Sequence, residues 1–172
     1  MAEFWNSSTL EPKRQHRWLL TMRNSQVPSY VVKVADKPGF SINETTHDYF
    51  GHKFYYPGQV EWSEISITLV DAIDPDSSKL LQNVLTNSGY QDPSNHPDNM
   101  LFTVSKADSV KALGPQVTLK QVSGAENKTV EKWTLYNPWI KEVKFGSLDY
   151  SSDDLVEIEL TIRYDWARLS QN

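Results

Sequence analysis

The 172-residue sequence contains no cysteine, which excludes a disulfide framework, a thiolate metal site and a thiol nucleophile. No apolar run approaches the roughly 18 residues of a membrane helix, and the first twelve residues lack the apolar run of a signal peptide. Positive charge is also scarce, because 17 Lys and Arg residues stand against 22 Asp and Glu residues, a formal net charge of −5. We therefore expect a protein that folds in a reducing cytoplasm, has no membrane anchor and as a whole repels nucleic acid.

Catalytic motifs are missing as well. The sequence has no G-x-S-x-G elbow, no phosphate-cradling glycine loop and no H-E-x-x-H helix. His47 and His52 flank Asp48, but this spacing does not converge ligands in a strand or loop, and no third ligand follows at a motif spacing. Carboxylates crowd the segment 149–165, yet a solvated strand face explains them with fewer assumptions than a glycosidase pair. We predict no enzyme activity, no cofactor and no metal.

The clearest pattern present is a strict alternation near the C-terminus. Its apolar members are Val156, Ile158, Leu160, Ile162, Tyr164 and Trp166, and every residue between them is polar. Period two over this length predicts a strand with one dry face and one charged face. With 12% aromatic residues as well, the chain is predicted to be mainly β, an antiparallel β-sandwich or barrel.

The other predicted elements follow from the same reasoning. One flanking α-helix is expected at about residues 75–88, because Asp74 suits an N-cap, Pro75 suits the first helical position and an apolar stripe ends before Gly89. Ser105–Pro115 is ambiguous and suggests one helical turn. The predicted strands are Trp18–Met22 and Tyr30–Val34 around a turn at 24–29, one opened by Trp62 and ending at Asp71, Leu101–Val104, Val117–Val122, and Val130–Phe145 interrupted at Asn137–Pro138.

The chain divides into an N-terminal arm (1–15), a single β domain (16–168) and a C-terminal tail (169–172). Residues 40–60 hold many aromatic and few aliphatic side chains and are the least core-like part of the chain. Its aromatic residues are too closely spaced for one strand face to bury them all. The candidate inter-subunit contacts are Tyr49, Phe50, Phe54, Tyr55 and Tyr56, with Phe4 and Trp5 of the arm. For the arm, packing on its own domain is an equal alternative.

The order of these motifs resembles the tail tube proteins of contractile-tailed phages, the T4-like inner tube family. The residues that carry the resemblance are Trp62–Asp71 running into the predicted helix, Trp133–Ile140, Leu148-Asp149-Tyr150 and the final strand, with Arg17–Leu20 and Pro38-Gly39 near the start. The similarity covers about Arg14 to Trp166. The chain departs from the family in two places, since Trp62 lies off the apolar parity of the strand that follows, which suggests a bulge, and residues 40–59 are unusually aromatic.

The resemblance implies a phage tail tube-like fold whose copies form hexameric rings, stacked into the tube that serves as a conduit for DNA ejection. Implied partners are further copies of the chain, a sheath protein, and baseplate and tail-terminator proteins, in a virion assembled in the host cytoplasm. DNA is expected to pass without specific binding. Residues 40–60 are then expected to form an extended hairpin or loop for contacts between subunits. The polar face of the last strands then supplies the candidate lumen-facing residues, with an outward-facing position as the alternative: Glu142, Glu157, Glu159, Thr161 and Arg163.

Three other functions remain open at this point. Two share the fold, namely a baseplate-proximal tube initiator and the inner tube of a contractile injection system. A third, from a different class, is a carbohydrate- or ligand-binding β-sandwich, suggested by six tryptophans and eight tyrosines, residues that stack on sugars.

Overall fold

The computed structural model describes residues 13–95, 103–123 and 128–170. Within these residues the chain forms ten strands and two helices. The strands are β1 (Trp18–Met22), β2 (Val32–Ala35), β3 (Phe40–Tyr49), β4 (His52–Trp62), β5 (Ile65–Val70), β6 (Gln116–Val122), β7 (Thr129–Tyr136), β8 (Trp139–Lys144), β9 (Glu157–Arg163) and β10 (Trp166–Ser170). The helices are α1 (Ser77–Asn87) and α2 (Lys106–Leu113).

Eight of the strands form two four-stranded antiparallel sheets. Sheet 1 has the order β1-β6-β7-β10, and sheet 2 has the order β2-β5-β9-β8. The remaining two strands, β3 and β4, pair only with each other within the described chain. The prediction of a mainly β, antiparallel sandwich is confirmed.

The core lies between the two sheets. The apolar residues of β5 and β9 alternate inward and are 0–1% exposed, and those of sheet 1 meet them from the other side. One side chain from each helix, Leu81 and Leu113, completes the cluster. The alternation in sequence therefore corresponds to a half-buried strand, as predicted. The central buried side chains are Leu20, Ile65, Ile67, Leu69, Val117, Leu135, Ile158, Leu160 and Ile162.

The C-terminal alternation does not belong to one continuous strand. β9 ends at Arg163 in sheet 2, and β10 begins at Trp166 in sheet 1. At this corner Asp165 donates its backbone N–H to the carbonyl of Tyr136, 3.1 Å away, and the inward parity shifts so that Ala167 is buried while Trp166 is exposed. Continuing the strand to Trp166 was therefore wrong, because a change of sheet resets which face each side chain occupies.

The segment 130–145 crosses between the sheets in the same way. β7 belongs to sheet 1 and β8 to sheet 2, and the predicted interruption at Asn137–Pro138 is the crossing point. Asn137 has φ 51°, and Pro138 is buried. The two corners meet, since the Asn137 side-chain amide donates to Asp165 Oδ2 at 2.9 Å. This contact fixes where both chain segments leave one sheet for the other.

Helix α1 begins two residues later than predicted, because Asp76 rather than Asp74 caps it. The backbone N–H of Lys79 donates to Asp76 Oδ1 at 2.9 Å. A second helix, α2, occupies the ambiguous segment after residue 105. Ser105 caps it, since its hydroxyl accepts the Asp108 N–H at 3.1 Å and donates to the Asp108 carboxylate at 2.6 Å. Helix α2 contacts both α1 and β8, so the helices lie beside the β8 edge of sheet 2.

Three smaller predictions require correction. β1 and β2 lie in different sheets rather than in one hairpin. Trp62 ends β4 instead of opening β5, which explains its different parity. The strand predicted at Leu101–Val104 falls partly outside the described residues, and the described Thr103 and Val104 are not in a strand.

Candidate assembly surfaces

The β3–β4 hairpin, hereafter the hairpin, projects from the sandwich. Its turn residues Phe50 and Gly51 both have positive φ, 49° and 79°, the signature of a two-residue type I′ turn. Every residue of the two strands except the half-buried Trp62 is exposed. Each arm extends about 34 Å, at roughly 3.4 Å per residue. The hairpin spans Phe40–Trp62, the segment for which an extended hairpin or loop was expected.

The hairpin has two chemically different faces. Opposite residues of an antiparallel pair lie on the same face, so the register His47–Phe54 and Tyr49–His52 places aromatic and imidazole rings together. The opposite face carries charges, including a direct Asp48–Lys53 pair. We call the first the aromatic face of the hairpin, and its strand residues beyond the bulge contain no carboxylate: Thr45, His47, Tyr49, His52, Phe54 and Tyr56.

A bulge and an aromatic cluster shape the base of the hairpin. The register shifts between Ile42 and Glu44, and a Cβ on Gly58 would lie 2.9 Å from the Asn43 carbonyl oxygen, so only glycine fits there. The Phe40 and Trp62 rings meet edge-on with centroids 5.4 Å apart, and Trp62 packs against the sandwich core. The hairpin is thus held at its base, and no residue of its outer part belongs to the hydrophobic core of the described chain.

The structure places the candidate inter-subunit residues as follows. Phe4 and Trp5 lie outside the described residues. The five hairpin aromatics are all exposed, Phe50 at the turn by 84%. Phe54, Tyr49 and Tyr56 share the aromatic face, whereas Tyr55 lies opposite. Such exposure of closely spaced rings is unusual for a protein whose surface meets only water.

The five candidate lumen residues do lie on one surface, the outward face of sheet 2. Glu157, Glu159, Thr161 and Arg163 alternate along β9, and Glu142 lies directly opposite Thr161 on β8. Positive and negative charges on this face are more nearly balanced than the sequence suggests, because its three glutamates lie among three cations. The ion pairs are Lys33–Glu157, Lys144–Glu159 at 3.6 Å, Lys144–Glu142 at 3.9 Å, and Arg163 with Glu61 of β4 at 3.1 Å.

Sheet 1 has a basic outward face that the sequence analysis missed. Lys120 of β6 lies directly opposite Lys132 of β7, and Arg168 of β10 lies on the same side. The outward positions of these strands within the described chain carry no carboxylate. Tyr136 and Trp166 stack at one end, with centroids 5.1 Å apart. The polar residues alternate in the sequence, but only the pairing register brings cations from three strands together.

The buried carboxylate of Glu131, on β7 of sheet 1, binds two lysines from the first part of the described chain. It is 5% exposed and accepts hydrogen bonds from Lys13, Lys37 and the Trp133 indole N–H. Although burial opposes its ionisation, these three donors hold the pKa of Glu131 at about 2. Lys37 immediately precedes the Pro38-Gly39 turn into β3, so this cluster fixes the entry into the hairpin. No sequence motif marks it.

The described residues include no group of three or more His, Cys, Asp or Glu side chains placed to hold a metal ion. His47 and His52 lie on the same face of the hairpin, and Asp48 lies on the other. None of the described helices is long and apolar enough to cross a membrane.

No protein-family model matches this chain, and no curated protein matches it in sequence. Its structure, however, is similar to chains of contractile injection systems. A chain of the sheath-tube complex of an extracellular contractile injection system, PVC, in the extended state matches with TM-score 0.64 and 16% identity, over 94% of this chain and 93% of that one. A chain of the anti-feeding prophage tube-terminating cap gives TM-score 0.62 and 15% identity over 100% of both.

A chain of the anti-feeding prophage baseplate, in a structure symmetrised six-fold, also matches, with TM-score 0.62, 14% identity, and coverage of 94% of this chain and 97% of that one. At such identities the likeness concerns the fold. The predicted resemblance is confirmed at that level, and these similar chains come from contractile injection systems rather than specifically from T4-like tails. This chain shares its β-sandwich fold with chains of contractile injection systems.

Proposed function

We propose that this chain is a structural, non-enzymatic subunit of the inner tube of a contractile tail, assembling into hexameric rings that stack into a conduit. The observation that carries the proposal is the exposed hairpin, whose five aromatic side chains beyond the base, from Tyr49 to Tyr56, are 47–84% exposed. An isolated two-stranded hairpin is marginal in water, so its order favours a contact with other copies. The fold shared with a chain of a sheath-tube complex and the six-fold baseplate support the same proposal.

The two sandwich faces differ in a way that suits a tube wall. We place the outward face of sheet 2, with Glu142, Glu157, Glu159, Thr161 and Arg163, toward the lumen. Its ion pairs leave no concentrated positive charge to hold DNA, which suits a conduit for DNA ejection in a virion. The basic outward face of sheet 1 then lies outside, where an acidic surface of a sheath protein complements it. Baseplate and terminator proteins contact the two tube ends.

Self-assembly is the direct test. Purified protein, concentrated stepwise, is followed by light scattering and negative-stain electron microscopy. We expect rings and then tubes, because sheet edges and the hairpin gain partners only in an assembly. A protein that stays monomeric at millimolar concentration, in low and in high salt, contradicts the proposal.

The lumen assignment has its own test. Reversing both Glu157 and Glu159 to lysine places unbalanced positive charge on every subunit of the wall, which a DNA backbone feels within about 8 Å at physiological salt. Tubes of this variant are expected to retain duplex DNA that wild-type tubes release, and virions carrying it to eject poorly. Equal DNA retention and normal ejection would place this face away from the lumen.

Tube initiators and inner tubes of injection systems share this fold. The matches to injection-system chains support the second alternative as well as the tail tube, and in that alternative the cargo is protein instead of DNA. DNA content of purified particles separates it from a phage tail, and the copy number per particle separates a tube subunit from an initiator, which forms a single ring.

A further inference from the structure

The sandwich carries a second exposed apolar surface at the end opposite the hairpin. The loop of residues 146–156, between β8 and β9, is hereafter the cup loop. Its apolar side chains point into solvent, with Leu148 exposed by 88%, Leu155 by 72% and Tyr150 fully. Together with Lys33 and Glu157 the loop borders an open concavity of about 1370 Å³. Exposed apolar side chains around a concavity are typical of a protein-docking surface.

The hairpin and the cup loop lie at opposite ends of β5. The hairpin base is at its start, where Ser63 donates its backbone N–H to the Gly39 carbonyl at 2.9 Å. The cup loop is at its end, where Asp71 donates to the Val156 carbonyl at 2.9 Å. Six strand residues separate the two, a distance of about 20 Å. A projection at one end and a concavity at the other is the geometry of head-to-tail association between copies.

The polar groups of the two surfaces are complementary. The cup loop contains Asp149, Asp153 and Asp154 and no lysine or arginine. Hydrogen bonds from the Ser151 backbone N–H and hydroxyl keep the pKa of Asp149 below its usual value, which favours the ionised acceptor. The one cation at the concavity, Lys33, is paired with Glu157. Ionised carboxylates only accept hydrogen bonds, and Ser151 and Ser152 donate to one oxygen each of Asp149 and Asp154. The acceptor positions that are left on the loop suit donors from another copy.

The aromatic face of the hairpin supplies such donors. Tyr49 and Tyr56 carry hydroxyls, and His47 and His52 carry ring N–H groups, whereas no carboxylate lies beside them on that face. The opposite face carries Glu44 and Asp48 against a single cation, Lys53, so its net negative charge is the less favourable one for the loop's aspartates. Charge and hydrogen-bond donors therefore favour the aromatic face of the hairpin for this contact.

We propose that the aromatic face of the hairpin docks into the concavity of the cup loop of another copy, making a polar, head-to-tail contact that repeats along the tube. This inference rests on the proposed function and adds to it the receiving surface, the face and the direction of stacking. Apolar contact comes from Leu148, Tyr150 and Leu155 against Phe50 and Phe54, and the aspartates fix the orientation.

Cross-linking tests the contact cleanly, because the chain has no cysteine of its own. A His52→Cys/Ser147→Cys double variant places one thiol on the aromatic face near the tip and one in the concavity. The matched control, Lys53→Cys/Ser147→Cys, moves the first thiol to the neighbouring residue on the opposite face. With a short bis-maleimide, we expect the first to give a ladder of covalent multimers on a denaturing gel and the control at least tenfold fewer.

A Tyr150→Ser variant adds a second measurement. Since Tyr150 is fully exposed, its loss leaves unfolding unchanged, and we expect it to raise the protein concentration required for tube formation at least tenfold. Tubes that form without the ladder, or with equal ladders from both double variants, overturn this inference and leave the proposed function intact. A product limited to dimers overturns the head-to-tail direction. Absence of any rings or tubes overturns both.

Discussion

The sandwich buries its apolar side chains, whereas the hairpin leaves its own exposed. In the sandwich, Ile67, Leu69 and Leu160 are completely buried between two sheets. In the hairpin, strands of ten and eleven residues leave nearly every side chain exposed, Phe54 by 47% and Tyr55 by 61%. Folding of the single chain accounts for the first pattern. The second buries little apolar surface on folding of the single chain, which agrees with the proposed contacts between copies.

The largest expected effect is the difference in unfolding free energy between a substitution in the sandwich and one in the hairpin. Ile67→Ala removes a fully buried side chain between the sheets and should lower the free energy of unfolding by about 2–5 kcal/mol. Phe54→Ala in the hairpin should change it by less than about 0.5 kcal/mol. Urea unfolding followed by circular dichroism measures both. A comparable loss from Phe54→Ala would mean that the hairpin belongs to the monomer's cooperative core.

Substitution of Glu131, whose ion cluster fixes the start of the hairpin on the sandwich, should give the next largest loss of stability. Its folded pKa of about 2 lies below the ordinary 4.5, so its contribution is complete above pH 4.5 and is lost as the pH falls toward 2. Glu131→Gln should destabilise the protein on the order of 2 kcal/mol at pH 7 and flatten the loss between pH 4.5 and 2. Glu159→Gln, an exposed carboxylate, serves as the control. An unchanged acid profile in Glu131→Gln would contradict the buried ion cluster.

Two glycines have similar φ, one in the loop between β8 and β9 and one in the hairpin turn. Replacing each by alanine tests whether backbone strain destabilises the sandwich and the hairpin equally. Gly146 has φ 82°, and a Cβ there would lie 2.6 Å from the Glu157 carbonyl oxygen, whereas Gly51 has φ 79° and open space around it. Gly146→Ala should lower the unfolding free energy by about 1–2 kcal/mol. Gly51→Ala strains only the hairpin turn, so its unfolding midpoint should stay near wild type. Thermal melts compare the two, and equal losses would contradict the independence of the hairpin.

The smallest effect concerns sheet 1. Lys120 and Lys132 are directly opposite, and like charges in that position repel. Lys132→Glu should therefore raise stability by about 0.2–0.8 kcal/mol in low salt, with the gain shrinking as salt is added. The same reversal at Lys144, which is already near two glutamates, should give no gain. A loss of stability in Lys132→Glu would show that the basic face is not repulsive.

The alternation of β5 and β9 predicted the buried residues of sheet 2, because period two is a local property of the chain. The hairpin was an expectation from the family resemblance, since its aromatic content and its lack of aliphatic residues indicated only a segment unlike the core. The corners at Asn137–Pro138 and Tyr164–Asp165 could be located only in part. Apolar alternation continues through Tyr164 to Trp166 in the sequence, and nothing local indicates that the strand changes sheet.

The surfaces were harder to predict than the core. The glutamates of β9 were placed correctly on one face, but their partners Lys33 and Lys144 come from strands distant in sequence. The basic face of sheet 1 and the Glu131 cluster depend in the same way on the pairing register. The pairing register between strands that are distant in sequence decides which charges become neighbours. The local pattern of a single sequence does not specify this register.

The central claim is that the hairpin serves assembly and not folding of the single chain. Ile42 and Val60 are directly opposite, so replacing residues 43–59 by Asn-Gly closes a short type I′ hairpin and removes the projecting part. Negative-stain electron microscopy of the concentrated proteins, with thermal melts in parallel, is the most direct measurement. We predict stacked tubes for the full chain, and for the shortened chain the same melting temperature with at most unstacked rings. A shortened chain that still forms stacked tubes, or one that unfolds, would contradict this account.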